Sequence, residues 1–356
     1  MKRIDERDVM FSRSNYTKGT PEYEDYYKRN PENKDIDDSI RSKPNLCSPG
    51  TMSYNPINSP MAESAFMFLS DIKKLSEVNP KPNKVEINPK IITERIKGYT
   101  KFYGANLVGI TKMKDYHYYS HRGRHVENYG EEITSKDMHT YGIVFAVEMD
   151  KEMINRSPMV SEIIATSKAY VDVSVIGMIL SYYISSLGYE ARNHMDANYL
   201  VVCPLVAKDA GLGEIGRNGI LTTREYGSRV RLGIVTTNLP LIEDDSIDFG
   251  LEDFCNICNN CSRTCPGKAI PKEDKSLVHG VNRWQINQEQ CYDRWRSLGT
   301  DCGICISSCP FSQNLDFMQD IDNFKGNTDL INSILKQYKE KYISRPFIPT
   351  PPDWLK

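Results

Sequence analysis

The stretch CNICNNCSRTCP, residues 255–266, and its companion CYDRWRSLGTDCGICISSCP, residues 291–310, decide how this chain is read. Eight of its ten cysteines fall in these two runs, while Cys47 and Cys203 stand alone. Dispersed cysteines would suggest disulfides; crowding in one segment suggests metal. At 356 residues the chain exceeds twice the ~150-residue domain prior, so two domains, or one large one with an appendage, are expected. Hydrophobic residues at 39% with 26% charged exclude a mostly disordered chain. A net charge of −2 gives no basic excess for nucleic acid or an anionic membrane. The start, MKRIDERDVMF, has no apolar signal core and no twin arginine. The most apolar stretch, Val171 to Ile184, is too short to span a bilayer, so no membrane anchor is expected. A cytoplasmic location, where thiols stay reduced, follows as the expectation.

Cys255, Cys258, Cys261 and Cys265, the last followed by Pro266, have the spacing of a bacterial two-cluster ferredoxin. In that arrangement three close thiolates cap one cube and the fourth reaches the other. The second run stretches its first gap to ten residues, Cys291 to Cys302, then continues through Cys305 and Cys309-Pro310. Crossed ligation predicts one 4Fe–4S cluster on Cys255, Cys258, Cys261 and Cys309, and another on Cys265, Cys291, Cys302 and Cys305. So many thiolates also suit zinc. The Cys-Pro endings and the crowded x2, x2, x3 run disfavour it. Two such clusters form an electron wire, and the remaining chain must hold its terminus.

Residues 1–58 are polar, Tyr-rich and Pro-punctuated, which reads as a solvated arm. With a helix opening at Ser59-Pro60 they make an N-terminal unit, 1–88. Residues 89–245 read as an α/β domain. A helix runs from about Ile92 to Tyr103, and a long one from Ser161 to Leu187 is apolar in its second half and therefore buried. Strands are expected at 105–111, 141–149, 199–207 and 229–237. The cysteine-rich region, 246–320, is too loop-dense for a core of its own. Residues 321–356 supply an amphipathic helix and a Pro-rich tail packing Phe347 and Trp354.

Two motifs in the α/β part mislead. Gly211, Gly213 and Gly216 match a dinucleotide fingerprint, but Arg217-Asn218-Gly219 and Tyr226-Gly227 deny the helix that would hold the pyrophosphate. Asp115, His117 and Ser120 approximate a cobalt-ligating signature without its glycine. His117, His121 and His125 read as solvated loop residues.

The stretch from about Ile92 to Gln313 resembles the cobalamin-dependent reductive dehalogenases, which share a superfamily with epoxyqueuosine reductase. LGYEARNHMDANYLV and DAGLGEIGRNGILTTREYGSRVRLGIVTTNLPL, leading into the paired cysteine motifs, carry the resemblance. It implies a nitroreductase-like α/β core holding a base-off corrinoid without a protein ligand to cobalt, plus a ferredoxin-like two-cluster domain. It implies Tyr170 as proton donor with Arg229 as its partner, the guanidinium stabilising the tyrosinate. His194, Asp196 and Asn198 compete for a third polar position, with Asp196 favoured. Gly211, Gly213, Gly216 and Gly219 would line the corrinoid site, where missing side chains admit a flat macrocycle. Thr222, Thr223 and Ser228 would add hydrogen bonds.

The implied activity is reductive removal of halide from a small organohalide through Co(I), with a ferredoxin or flavodoxin as electron donor. The twin-arginine leader and membrane anchor of respiratory members are not visible. The alternatives are epoxyqueuosine reductase-like action on a tRNA base and a non-catalytic electron-transfer or corrinoid-reactivating protein. That tRNA-acting branch uses an Asp donor where this helix offers Tyr170 and then Asp172. The chain also has no basic excess with which to grip RNA.

Overall fold

Ile143, Phe145 and Val147 alternate with Val144 and Ala146, and all five are buried, the pattern of a strand covered on both faces. In the computed structural model, which describes residues 1–278, 280–318 and 324–356, this run is the centre of the molecule. Strands precede the cysteine-rich region as β1 (Leu107–Lys112), β2 (Tyr141–Glu148), β3 (Ala191–His194), β4 (Glu214–Ile215), β5 (Leu221–Thr222) and β6 (Val230–Thr237). The main sheet has the order β1-β2-β6-β3, with every neighbouring pair antiparallel. β4 and β5 form a separate hairpin.

The N-terminal helices are α1 (Met10–Arg13), α2 (Pro21–Arg29), α3 (Lys34–Arg41) and α4 (Ser59–Ile72). Around the sheet lie α5 (Pro89–Phe102), α6 (Lys151–Ile154), α7 (Val160–Ser186) and α8 (Cys203–Asp209). The cluster region holds α9 (Leu251–Cys258), α10 (Asn260–Thr264), α11 (Gln288–Leu298) and α12 (Ile304–Ser307), with a β7 (Ser276–Val278) and β8 (Val281–Arg283) ribbon. α13 (Thr328–Lys341) closes the chain.

Three layers result. Ile92 and Ile96 of α5 and Val173, Ile176, Leu180 and Ile184 of α7 cover one face of the sheet. Val206, Ala207 and Ala210, on and just after α8, cover the other. α7 is long and apolar enough to cross a membrane, but most of it is buried inside the protein. The Asn88 side chain accepts from the Lys90 and Ile91 amides and so starts α5, with Pro89 in the first turn.

Four expectations change. Residues 199–207 are not a strand: Pro204 sits in the first turn of α8 and starts a helix there. The N-terminal region is folded rather than solvated, because its tyrosines bury their rings and pair their hydroxyls. Tyr16, Tyr23, Tyr26 and Tyr27 cluster, Tyr27 donates to Asp37 at 2.7 Å, and Arg13 pairs with Asp37 in full burial. The cysteine-rich region does share a core, in which Phe249, Phe254, Phe311 and Phe324 pack on Ile331, Ile334, Leu335 and Tyr338. The tail is anchored by Leu355, while Phe347 and Trp354 stay exposed. The expected boundary at 320/321 lies outside the described residues.

His194 shows what the core demands of a polar residue. Its Nδ1 accepts from the Leu200 amide at 3.1 Å, which leaves Nε2 to donate to the Thr236 hydroxyl at 2.9 Å. Only the neutral ring can do both, and burial lowers its pKa well below the usual value. The unfolded chain therefore binds the extra proton, and stability falls as pH drops below the unfolded histidine value near 6.5. Urea titrations should show this loss between pH 7 and 5, and a His194→Gln variant should show a shallower slope there.

Candidate active site

The eight clustered thiols fall into two sets. Burial raises the Cys255 thiol, and its thiol neighbours are Cys261, Cys309 and Cys258. Burial likewise pushes Cys302 up to about 12, beside Cys291 and Cys265. Cys305 neighbours Cys302, Cys291 and Cys265, and also Cys261 of the other set. Grouped this way, the thiols could hold two clusters with crossed ligands. Among the described residues no three ligating side chains converge on a single ion.

Tyr170, on α7, lies across from β6. Its hydroxyl is 3.1 Å from Nη1 of Arg231, and the guanidinium carbon is 4.1 Å from its ring centroid. Burial pushes the Tyr170 phenol above its ordinary value, and the Arg231 charge pulls it part of the way back. Arg231 also lies 4.0 Å from Asp301, the residue before Cys302. Asp196 is 3.7 Å from Arg124, and both charges act on Tyr170. Tyr199 and Cys203 complete the surroundings, with burial pushing the Cys203 thiol up to about 12.

These groups lie deep, yet the Arg231 and Asp196 side chains keep 22% and 21% of their surface accessible. They therefore border a recess, the Tyr170 cavity. Nε of Arg124 and of Arg231, Oδ1 of Asp301 and Oε2 of Glu162 are buried without hydrogen-bond partners. Such atoms fit a polar-rimmed group such as a corrinoid, whose amide side chains could satisfy them. Phe66, its ring 6.0 Å from that of Tyr170, also lines an apolar cavity of about 600 Å³ with Leu46, Cys47, Met67 and Ile163.

The expected Arg229 is not the partner of Tyr170. It is fully buried, bonded to Glu148 at 2.5 Å, to the Ser312 carbonyl at 3.0 Å and to the Met149 carbonyl. It therefore joins the sheet to the cluster domain. The residues expected to line a corrinoid also turn inward. A Cβ on Gly211 or Gly213 would strike the backbone of Asp245 or Thr222, and Gly219 abuts Ile286. Gly216 packs against Asn218 and Thr222. Thr222 bonds Ser228 at 2.9 Å, and Thr223 bonds the Gly227 carbonyl. Among the competitors, His194 and Asn198 are spent on the fold, Asn198 bonding Arg192 and Ser76. Asp196 alone of the three faces the cavity groups. His117 is fully buried against Asp209, not solvated.

The sequence reading passed over Arg231, Arg124 and Tyr199. Arg231 is two residues from Arg229 in the same RVR run, and Arg124 lies in the loop read as solvated.

Residues 254–314 match a 4Fe-4S dicluster domain. Half of the chain is 34% identical, over 185 residues, to a tetrachloroethene reductive dehalogenase of Sulfurospirillum multivorans. The chain is thus similar in sequence to the reductive dehalogenases. A related family also matches: an epoxyqueuosine reductase of Lactococcus garvieae is 32% identical over 116 residues, covering 31% of this chain and 32% of that protein. A solved catabolic reductive dehalogenase shares the fold at a TM-score of 0.76 and 22% identity, over 97% of this chain. The chain spans 36% of the Sulfurospirillum protein and 47% of the solved one.

Arg229→Ala should lower stability by about 2–4 kcal/mol in anaerobic urea denaturation, since it removes a fully buried side chain and orphans the buried Met149 and Ser312 carbonyls. Arg231→Ala, which removes the Tyr170 hydrogen bond and ring contact, a contact to the Met149 sulfur and the Asp301 ion pair, should lower it by roughly 1–2 kcal/mol.

Proposed function

We propose that the protein is a corrinoid- and iron–sulfur-dependent reductase that removes halide from a small organohalide, with Tyr170 as proton donor. The Tyr170–Arg231 pair carries this reading, because it sets a phenol and a guanidinium in a deep cavity beside the Asp301–Cys302 turn of the cluster domain. A base-off corrinoid bound there would supply a strongly reducing cobalt centre, Co(I) when fully reduced. Arg124 and Arg231 would hold its polar rim through their unpartnered Nε atoms.

The overall change takes two electrons and one proton. The carbon–halogen bond breaks, halide leaves with the bonding pair, and a C–H bond forms. Burial keeps Tyr170 protonated at neutral pH, ready to donate. The Arg231 guanidinium, already donating to that oxygen, stabilises the tyrosinate that remains. Glu162 and Asp301 lie on the cluster side of Arg231, and their charges act on it. The apolar cavity beside Phe66 suits entry of an apolar substrate. A ferredoxin or flavodoxin would supply the electrons, and ten unpaired cysteines suit the cytoplasm.

The test uses anaerobically reconstituted protein, reduced methyl viologen, and tetrachloroethene and 3-bromo-4-hydroxybenzoic acid, compounds named with its relatives. Tyr170→Phe should lower kcat by about 10²–10⁴-fold with cluster and corrinoid content unchanged. Full turnover by that variant would remove Tyr170 from the mechanism.

A further inference from the structure

Electrons must enter the cluster domain somewhere, and its two ends differ. The second set of thiols lies between the N-terminal region and the cavity. α11, which carries Cys291, is held by the N-terminal region through Arg296 to the Pro44 carbonyl at 2.7 Å, with Phe11 packed on Trp295. Its Cys302 follows Asp301, which faces Arg231 in the cavity. That end delivers electrons rather than receiving them.

The first set borders a groove on the other side. Cys258, 6% exposed, lies in the wall of a groove of about 360 Å³ between α9–α10 and α13. Ile257 and Leu335 give the groove an apolar floor, and Arg263, Lys336, Lys339 and Glu340 rim it. The sequence of α13 produces this rim. Ile331, Ile334, Leu335 and Tyr338 face inward, so Lys336 and Lys339, three apart, share the outer face. Both lysines and Arg263 are exposed, and among the described residues none of the three is in an ion pair with a carboxylate. Arg263 and Lys339 are near enough to Cys258 for their charges to act on its thiol. Three cations against one carboxylate, around a small apolar patch directly over a cluster ligand, suit a brief encounter with an anionic redox protein. Electron-transfer encounters of this kind are small and electrostatically steered.

We infer that an acidic one-electron carrier protein, of the ferredoxin or flavodoxin class, docks in the groove over Cys258 and reduces the first cluster. This rests on the reading that the eight thiols hold two clusters. It assigns the direction of flow: from the groove to the cluster on Cys255, Cys258, Cys261 and Cys309, then to the cluster on Cys265, Cys291, Cys302 and Cys305, then to the cavity.

The experiment is stopped-flow reduction of the oxidised holoprotein, followed at the cluster absorbance. The two reductants are a reduced acidic two-cluster ferredoxin and the small cation radical of methyl viologen. In the Lys336→Glu/Lys339→Glu variant the ferredoxin rate should fall about tenfold or more at low salt, and its decline with added salt should vanish. The viologen rate and iron content should stay within twofold of wild type. Lys90→Glu/Lys101→Glu, on α5, should leave both rates unchanged, and Lys336→Gln/Lys339→Gln should give an intermediate loss. An unchanged ferredoxin rate in the Glu variant, with viologen reduction intact, would overturn the docking site. The dehalogenation reading fails separately, through absent halide release with viologen, and the ferredoxin result would stand without it.

Discussion

The buried guanidinium of Arg229 is the interaction on which the arrangement depends. A desolvated cation requires every donor to be matched, and this one meets acceptors from two bodies. Glu148 and the Met149 carbonyl belong to the end of β2, while the Ser312 carbonyl and Asn314 belong to the segment after the last cluster cysteine. Satisfying it fixes the cluster domain against the sheet. The 211–228 segment extends that clamp. Arg217 bonds the carbonyls of Cys255, Pro271 and Glu273, and Glu214 accepts from the Leu251 amide at 3.0 Å. The Asp301–Cys302 turn is thereby set over Arg231, and the polar cavity forms at the seam.

Features imposed by covalent chemistry or by local periodicity were legible in the sequence. Cysteine spacing predicted two crossed sets because a cube dictates which thiols can reach it. The apolar run through 171–184 required a buried helix, and β2 and β6 were plain from their branched residues. Features that depend on where another body sits were not legible. Arg229 and Arg231 lie two apart at the start of one strand, where a period of two gives them the same face. Only the position of the cluster domain decides that Arg229 enters the seam while Arg231 reaches Tyr170. The glycines after 210 signalled close backbone approach, which is present, but to Asp245 and Thr222 rather than to a ligand.

Tyrosine caused a second class of error. A Tyr-rich, highly charged N-terminal stretch reads as polar, yet its rings bury once Asp37, Asp38 and Arg41 meet the hydroxyls. That folded arm packs on α11, beside the thiol set opposite the groove over Cys258. Donor groove, two thiol sets and the Tyr170 cavity then follow one another through the molecule.

The central claim is that both cluster sets and a corrinoid occupy one protein in that order. Metal analysis of the chain, reconstituted anaerobically with iron, sulfide and cobalamin and then desalted, tests it most directly. About eight irons and one cobalt per chain are expected, with an electron paramagnetic resonance signal of base-off cobalt lacking nitrogen splitting. About eight irons with no retained cobalt would contradict the account and leave an electron carrier.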